Sequence, residues 1–252
     1  MNTAITVSHI ARNPELLGQT VVVIGGSAGI GLETARRASA EGAKLILTGR
    51  SPERLQRAAS EVHALSTTAF DATDPVALNR FFRDLPTIDH VMVTAGRPYY
   101  GRLIDLDFAH ARRALDEHLL LFIEVARNAG GKVKAGGTLI FMGGTGSRRP
   151  GIGVGIASTV TAALPALTAN LALELAPVRV NLIAAGFVDT QLSASLLGDE
   201  LENRRSQLRA ELPIRRVVQP ADVAALAVHI MTNTALTGAT YDIDGGQQFV
   251  AA

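Results

Sequence analysis

The stretch TVVVIGGSAGIGLETARRASA, Thr20 to Ala40, decides the fold. It begins with a short apolar run, passes through a glycine-rich turn and continues with helical periodicity to about Ala40. Gly25, Gly29 and Gly31 let the backbone approach a ligand closely, and the start of the following helix offers free N–H groups. The stretch therefore predicts the first strand, turn and helix of a parallel sheet that binds a pyrophosphate. A merely tight turn is the alternative.

The same alternation continues along the chain. Apolar runs predict strands at Lys44–Thr48, Thr67–Phe70, Ile88–Thr94, Thr138–Met142 and Val178–Ala184, and helical patterns lie between them, the long ones at 108–128 and 156–176. Strands that are apolar throughout indicate a sheet covered on both faces. We predict one doubly wound, Rossmann-like α/β domain over residues 1–252, with about seven parallel strands and helices on both faces. Residues at about 187–212 are a polar helical insertion and are expected to form a lid.

Composition excludes several classes of function. The chain has 252 residues, a net charge of +1 and no Cys, so we expect no nucleic-acid or membrane partner and no disulfide. The six His lack ligand spacing, which predicts that no metal is bound. The N-terminal residues do not read as a secretory signal, so a cytoplasmic protein is expected. Ile156 to Leu173 is uncharged and about as long as a membrane span. Its polar residues and Pro165 instead favour a helix buried against neighbouring helices.

The end of the second predicted strand, LTGRS, concerns the choice of dinucleotide. A site that prefers NAD(H) usually places an acid there to hold the ribose 2′-hydroxyl. Here Arg50 and Ser51 follow Gly49, and they can bind a 2′-phosphate through a charge-assisted bond and a hydroxyl. The sequence therefore predicts NADP(H) as the cofactor. A solvated Arg before a helix is the alternative.

Six segments in order carry a resemblance that runs from about Leu16 to the C-terminus: VIGGSAGIG, LTGRS, FDATD, VTAG, LALELAPVRVNLIAAGFVDT and YDIDGG. With them the chain resembles the short-chain dehydrogenase/reductase (SDR) family. The resemblance implies an oxidoreductase, and it implies roles for residues already singled out and for others. By this resemblance Gly25, Ser27, Gly29, Ile30 and Gly31 line the pyrophosphate, Asp71 binds the adenine amino group, Ala95 and Gly96 border the adenosine, and Thr190 meets the nicotinamide amide or the phosphates. Val93-Thr94 and Ala185 replace the family's Asn-Asn and Pro at their positions.

The family's catalytic positions all differ. The family uses a Tyr as proton donor, a Lys four residues later, a Ser and an Asn. By alignment these positions hold Ala157, Thr161, Gly144 and His118. The three Lys are Lys44, Lys132 and Lys134, and the three Tyr are Tyr99, Tyr100 and Tyr241, so no shift of the alignment restores the pair.

Other groups could serve as the proton donor. His118 has a suitable pKa, and Tyr99 and Tyr100 follow the fourth predicted strand, at the edge where ligands bind. Arg148 and Arg149 follow the fifth and could bind an anionic substrate or could simply be exposed.

Three functions remain open. The first is an NADP(H)-dependent oxidoreductase that acts on a small carbonyl, alcohol or activated alkene with non-standard groups. The second is a catalytically inactive NADP(H)-binding sensor or regulator, and the third is a structural partner of an active relative. Family resemblance implies a homodimer or homotetramer through two long helices. The apolar 156–176 helix fits that assembly, with residues around 115–125 as its neighbour.

Overall fold

The computed structural model describes residues 14–250. The predicted sheet is present: seven parallel strands lie in the order β3-β2-β1-β4-β5-β6-β7. The strands are Thr20–Ile24 (β1), Lys44–Gly49 (β2), Ser66–Ala69 (β3), Ile88–Val93 (β4), Val133–Gly144 (β5), Arg179–Ala185 (β6) and Thr240–Ile243 (β7). The order reverses between β1 and β4, and ligands bind at the carboxyl ends of strands beside such a switch point. Residues 1–13 and 251–252 lie outside the described residues. The outer bounds of the predicted domain and the N-terminal segment, which is expected not to be a secretory signal, therefore lie outside them as well.

Nine α-helices connect these strands within the described residues. They are Gly29–Ala40 (α1), Pro52–Val62 (α2), Pro75–Asp84 (α3), Phe108–Leu115 (α4), Leu121–Ala129 (α5), Gly155–Glu174 (α6), Gln191–Leu197 (α7), Leu201–Glu211 (α8) and Pro220–Thr232 (α9). Two separate apolar clusters cover the two faces of the sheet. One joins the sheet to α3, α5 and α6, where the rings of Phe122 and Phe141 stack at 4.4 Å. The other joins it to α1, α2 and α9.

The predicted helix starts are confirmed by their caps. The Ser51 hydroxyl accepts the Arg54 N–H, and Pro52 occupies the first helical turn. The Asp74 carboxylate accepts the N–H groups of Val76 and Ala77 at the start of α3. These side chains satisfy donors that the first turn of a helix leaves unpaired.

The helix expected at 108–128 is not continuous. A π-helical turn, Asp116–Leu120, separates α4 from α5. Such turns insert one residue into a helix, often at functional sites, and no Gly or Pro signals this one in the sequence. The turn carries His118, so it sets the direction in which that side chain points.

Helix α6 differs from its prediction in burial. By length and composition it could cross a membrane. In the fold it packs on the sheet along one face, where Val160, Leu164, Thr168 and Leu171 are buried. Much of its remaining surface is open, so within the single chain the neighbouring elements cover only part of this helix.

Two titratable side chains, Arg179 and His90, are buried in the sheet among the described residues. The Arg179 guanidinium donates to five main-chain carbonyls, those of Gly136, Ile230, Met231, Asn233 and Leu236. Three of these carbonyls lie at the C-terminal end of α9, where a cation is favourable. His90 lies on β4 and its Nε2 bonds to the side-chain oxygen of Gln19 at 2.6 Å.

Candidate functional site

The glycine-rich turn lies at the carboxyl ends of β1 and β4. The Thr94 hydroxyl donates to the carbonyls of Ile24 and Gly25, both at 3.2 Å. A Cβ on Gly25 would lie 2.7 Å from the Thr94 hydroxyl oxygen, and Gly25 has a φ of +95°. A Cβ on Gly31 would lie 2.5 Å from the same hydroxyl oxygen and closer still to the Gly25 carbonyl. Only glycine fits at these two positions, because side chains would occupy the space that the turn needs.

The start of α1 has the features of an anion site. Its N-cap residue, Ala28, makes no side-chain cap, and its first turn holds no acid. The N–H groups of this turn therefore have neither a capping oxygen nor a nearby negative charge, and they are free for a phosphate. The turn and the helix start together fit a dinucleotide pyrophosphate, as the sequence predicts.

Thr190 lies opposite this turn. It caps α7 by accepting the Ser193 N–H at 3.1 Å, and its methyl lies 3.7 Å from the position of a Cβ on Gly29. The structure thus brings together Gly29 and Thr190, which are far apart in sequence. Thr190 stays a candidate contact for the cofactor.

The end of β2 holds the residues predicted to select the 2′-phosphate. Arg50 is exposed, and no ion pair among the described residues involves it. The Ser51 hydroxyl already donates to the Glu53 carboxylate at 2.8 Å. The Ser27 hydroxyl faces this strand end, because a Cβ on Gly49 would lie 3.1 Å from it. Arg50 is therefore free for a phosphate, whereas Ser51 would first have to release Glu53.

Asp71 belongs to a network that the sequence analysis did not find. One carboxylate oxygen accepts the N–H and hydroxyl of Thr73, and the other accepts the Arg113 guanidinium at 3.0 Å. Burial alone would raise the pKa of Asp71, but the bonds from Thr73 and Arg113 outweigh it and lower the pKa. Arg113 also bonds to Glu117 at 2.8 Å, and Glu117 accepts the Arg97 N–H at 2.7 Å. Arg113 and Glu117 are four residues apart on a predicted helix, and this spacing could have indicated their ion pair from the sequence.

The adenosine-side residues border the glycine turn. The N–H of Ala95 donates to the Ile24 carbonyl at 3.1 Å. Gly96 has a φ of +125°, and a Cβ there would lie 3.3 Å from Nε2 of His118. The Gly96 backbone therefore lies directly against the His118 ring.

Gly144 and Thr161, the residues aligned with the family's Ser and Lys, lie close together. A Cβ on Gly144 would lie 3.3 Å from the methyl of Thr161. The Thr161 hydroxyl donates to the carbonyls of Ala157 and Ser158, at 2.9 and 3.1 Å. The Ser158 hydroxyl donates to the Gly146 carbonyl at 3.0 Å. Both hydroxyl protons are engaged by the main chain, and neither group has a base beside it that would make it an acid–base catalyst.

His118 has a defined tautomer. Its Nδ1 lies 3.0 Å from the Ala114 carbonyl, and a carbonyl can only accept, so Nδ1 carries the proton. The other ring nitrogen, Nε2, lies on the side of Gly96. Its ring also packs near Phe122, at 6.5 Å between centroids.

The two loop tyrosines occupy different positions. The Tyr99 hydroxyl accepts the Asp107 N–H at 2.9 Å, and its ring stacks on His110 at 6.1 Å. Tyr99 thereby links the loop after β4 to the start of α4. Tyr100 is 56% exposed and stands outside this contact.

Within the described residues, no group of three or more His, Asp or Glu side chains could hold a metal ion.

The family model that matches this chain is described as Enoyl-(Acyl carrier protein) reductase and covers residues 25–248. The curated relative ATR9, a short-chain dehydrogenase/reductase of Stachybotrys chlorohalonatus, is 27% identical over 254 residues, covering 92% of this chain and 98% of that protein.

Two solved structures show the same fold. A short-chain dehydrogenase/reductase from Serratia marcescens BCRC 10948 superposes with a TM-score of 0.85 at 27% identity, over 93% of this chain and 99% of its own. BdcA, solved in complex with NADPH, superposes with a TM-score of 0.84 at 26% identity, over 92% of this chain and 95% of its own.

Proposed function

Because the chain belongs to the short-chain dehydrogenase/reductase family, we propose that it is an NADP(H)-dependent oxidoreductase with non-standard catalytic groups. Its substrate is a small carbonyl compound or alcohol, or an activated alkene. The observation that carries the proposal is the glycine turn, where added side chains at Gly25 and Gly31 would fill the space beside an uncapped, acid-free helix start. A protein that had lost its cofactor would have no need to keep this space open.

Arg50 supports NADP(H) over NAD(H). It is exposed at the end of β2 without a carboxylate partner among the described residues, where a site for NAD(H) would carry an acid. Ser27 and Arg50 lie at the same strand end and would hold the 2′-phosphate, and Asp71 would meet the adenine. The NADPH complex of BdcA agrees with this choice.

We place the proton donor at His118. Bound NADPH supplies a hydride, and the oxygen that develops negative charge then needs a proton. With Nδ1 held by the Ala114 carbonyl, protonated His118 can release a proton only from Nε2. The Tyr99 hydroxyl oxygen is held by the Asp107 N–H at the start of α4, whereas the His118 ring lies against Gly96, beside the glycine turn, and this position favours His118 over Tyr99.

The test is NADPH oxidation with a panel of small aldehydes, ketones and activated alkenes. We expect His118→Gln to lower turnover by about 100-fold or more with NADPH affinity unchanged, as for loss of a general acid. His229→Gln is the matched control, because His229 is exposed on α9, which packs on the other face of the sheet from α5. Equal turnover in His118→Gln and the unaltered protein would contradict the assignment, and a loss confined to Tyr99→Phe would move the role to Tyr99.

A second candidate function is an NADP(H)-binding sensor or regulator without turnover, or a structural partner of an active SDR. The observation that favours it is the commitment of the Ser158 and Thr161 hydroxyls to main-chain carbonyls. A sensor binds NADPH and oxidises it with no compound of the panel. A structural partner copurifies with an active SDR and needs no cofactor.

We also propose that the chain forms a homodimer or homotetramer through the open face of α6 and the neighbouring π-turn and α5. Leu120, Ile123 and Leu173 are exposed large apolar side chains on these elements, and a second copy would cover them.

We place the protein in the cytoplasm, without nucleic-acid or membrane partners. Residues 187–212, which hold α7 and α8, would act as the lid over a small-molecule substrate.

A further inference from the structure

A buried carboxylate belongs to the residue that precedes His118 on the π-turn. Glu117 is 7% exposed, although Asp116 and Leu120 on the same turn are exposed. A carboxylate removed from water is unfavourable unless it is paired and hydrogen-bonded, and an apolar side chain of similar size is often at least as stable in such a place. The charge at this position therefore needs a reason other than packing.

Both carboxylate oxygens of Glu117 are engaged. Oε1 accepts the Nε–H of Arg113 at 2.8 Å, and Oε2 accepts the main-chain N–H of Arg97 at 2.7 Å. The second bond crosses from the π-turn to the loop that follows β4. It holds the main chain of that loop through an acceptor that an apolar side chain would not offer.

The same loop lies against the His118 ring. A Cβ on Gly96 would lie 3.2 Å from the Glu117 carbonyl oxygen and 3.2 Å from Cε1 of His118. Arg97, which donates to the Glu117 carboxylate, is the next residue of the loop. Two consecutive residues of the π-turn thus face two consecutive residues of the loop. A rotation of the π-turn that broke the Glu117 bond would also move the His118 ring.

Arg113 connects this carboxylate to the cofactor cleft. Its Nε donates to Glu117, and its Nη2 donates to Asp71 at 3.0 Å. Asp71 is the residue that would meet the adenine of the cofactor. One planar guanidinium therefore ties the segment after β3 to the π-turn, with a fixed geometry that a lysine would not supply.

We propose that Glu117 and Arg113 are positioning residues for His118; this inference rests on the proposed function. Together they hold the π-turn against the loop after β4, so that the His118 ring keeps Nδ1 on the Ala114 carbonyl and Nε2 beside Gly96. A reacting group that is displaced by about 1 Å can cost about 100-fold in rate, so proton transfer from His118 depends on this support. Neither Glu117 nor Arg113 transfers a proton itself.

The first measurement is the tautomer of His118, read by NMR from the imidazole ¹⁵N signals of the full chain at about pH 8.5, where an ordinary imidazole is neutral. The His118 signals are those that His118→Gln removes. We expect the Nδ1–H tautomer in the unaltered protein and a mixture of tautomers in Glu117→Gln, because an amide has one acceptor oxygen for two donors. Asp116→Asn, an exposed change on the same turn, is the control and should keep the Nδ1–H tautomer.

The second measurement is turnover in the NADPH oxidation assay. Glu117→Gln should lower kcat by about 10-fold or more, since the proton donor is no longer held in place. The Kd for NADPH should stay unchanged, because the glycine turn and Arg50 are untouched. In a His118→Gln background the same substitution should lower kcat no further, since a positioning residue acts through the group that it positions.

Arg113→Gln tests the other half of the pair, and it decides the matter if thermal unfolding shows that Glu117→Gln does not fold. It removes the cation beside Glu117 and should give the same mixture of His118 tautomers. Arg112→Gln is its control, because Arg112 is exposed on the same helix and forms no ion pair among residues 14–250.

Three results would overturn the inference: an Nε2–H tautomer in the unaltered protein, an unchanged tautomer in either folded variant, or a further loss of turnover when Glu117→Gln is added to His118→Gln. The two proposals fail separately. An unaltered protein without turnover removes the proposed function, and the tautomer alone then decides the positioning. Turnover that His118→Gln leaves intact removes the proton donor and this inference, while NADP(H)-dependent activity stands.

Discussion

Replacing Gly31 by Ala tests the cofactor turn with the smallest possible change. The added methyl would lie 2.5 Å from the Thr94 hydroxyl oxygen and would also contact the Gly25 carbonyl. Ordinary carbon–oxygen contacts are about 3.3 Å or longer, so the Thr94 hydroxyl must move away from the methyl by roughly 0.8 Å and the Gly25 carbonyl by more. Both neighbours are held to the sheet, Thr94 by its bond to Ile24 and Gly25 by the strand before it. The turn must therefore open.

The magnitude follows from the overpacking that this methyl creates. Inserting a methyl into a well-packed site costs about 1–3 kcal/mol. For a chain of this size each kcal/mol lowers the Tm by about 2–4 °C. If the opened turn must close again to bind the cofactor, the same free energy weakens NADPH binding by about 5- to 150-fold.

The assay is thermal unfolding together with calorimetric titration of NADPH. Gly131→Ala is the control, because a Cβ there has no heavy atom within 4 Å and Gly131 has no left-handed φ. We expect the control to match the unaltered protein in both measurements. If Gly31→Ala also matches it in Tm and in NADPH affinity, the steric account of this turn is refuted.

Two further predictions concern the buried polar groups. Arg179→Met leaves five carbonyls without their donor, so it should lower the free energy of unfolding by about 3 kcal/mol in a denaturant titration, whereas exposed Arg209→Met should change it by less than about 0.5 kcal/mol. An Arg179→Met protein as stable as the control would show that the carbonyls find other donors. Burial, followed by the charges of Arg179 and Lys134 and partly offset by Asp89, lowers the pKa of His90 to about 4. The unfolded chain then binds the proton more readily, so stability should be complete above about pH 6.5 and fall by about 3 kcal/mol as the pH drops towards 4. His90→Gln should lack this part of the decline in unfolding measured across that range, and an unchanged decline would contradict the assignment.

Much of the fold could be predicted from the sequence because its local signals agree. The central strands β1, β4 and β6 are largely apolar runs, and Ser51-Pro52 and Asp74-Pro75 stand where their helices begin. The π-turn could not be predicted, since Asp116–Leu120 contains neither Gly nor Pro and its hydrophobic pattern continues that of the helix. The exposure of α6 could not be predicted either. A long apolar helix has the same sequence pattern whether the chain itself or a second copy covers it.

Part of the candidate site could likewise be predicted from the sequence, and part could not. Gly25, Gly31 and Arg50 are recognisable because backbone space and charge at a strand end are local properties. The Arg113 bond to Asp71 joins residues 42 positions apart on separate elements, so it does not follow from spacing along the chain.

We propose that this chain binds NADP(H) through its glycine turn and Arg50. The most direct measurement is a calorimetric titration of cofactor-free protein with NADPH and with NADH, repeated on Arg50→Ala. We predict that NADPH binds about 10- to 100-fold more tightly than NADH and that Arg50→Ala removes the difference, as loss of one charged hydrogen bond to a phosphate requires. Equal affinities in the unaltered protein, or no binding of either dinucleotide at about 1 mM, would contradict the claim.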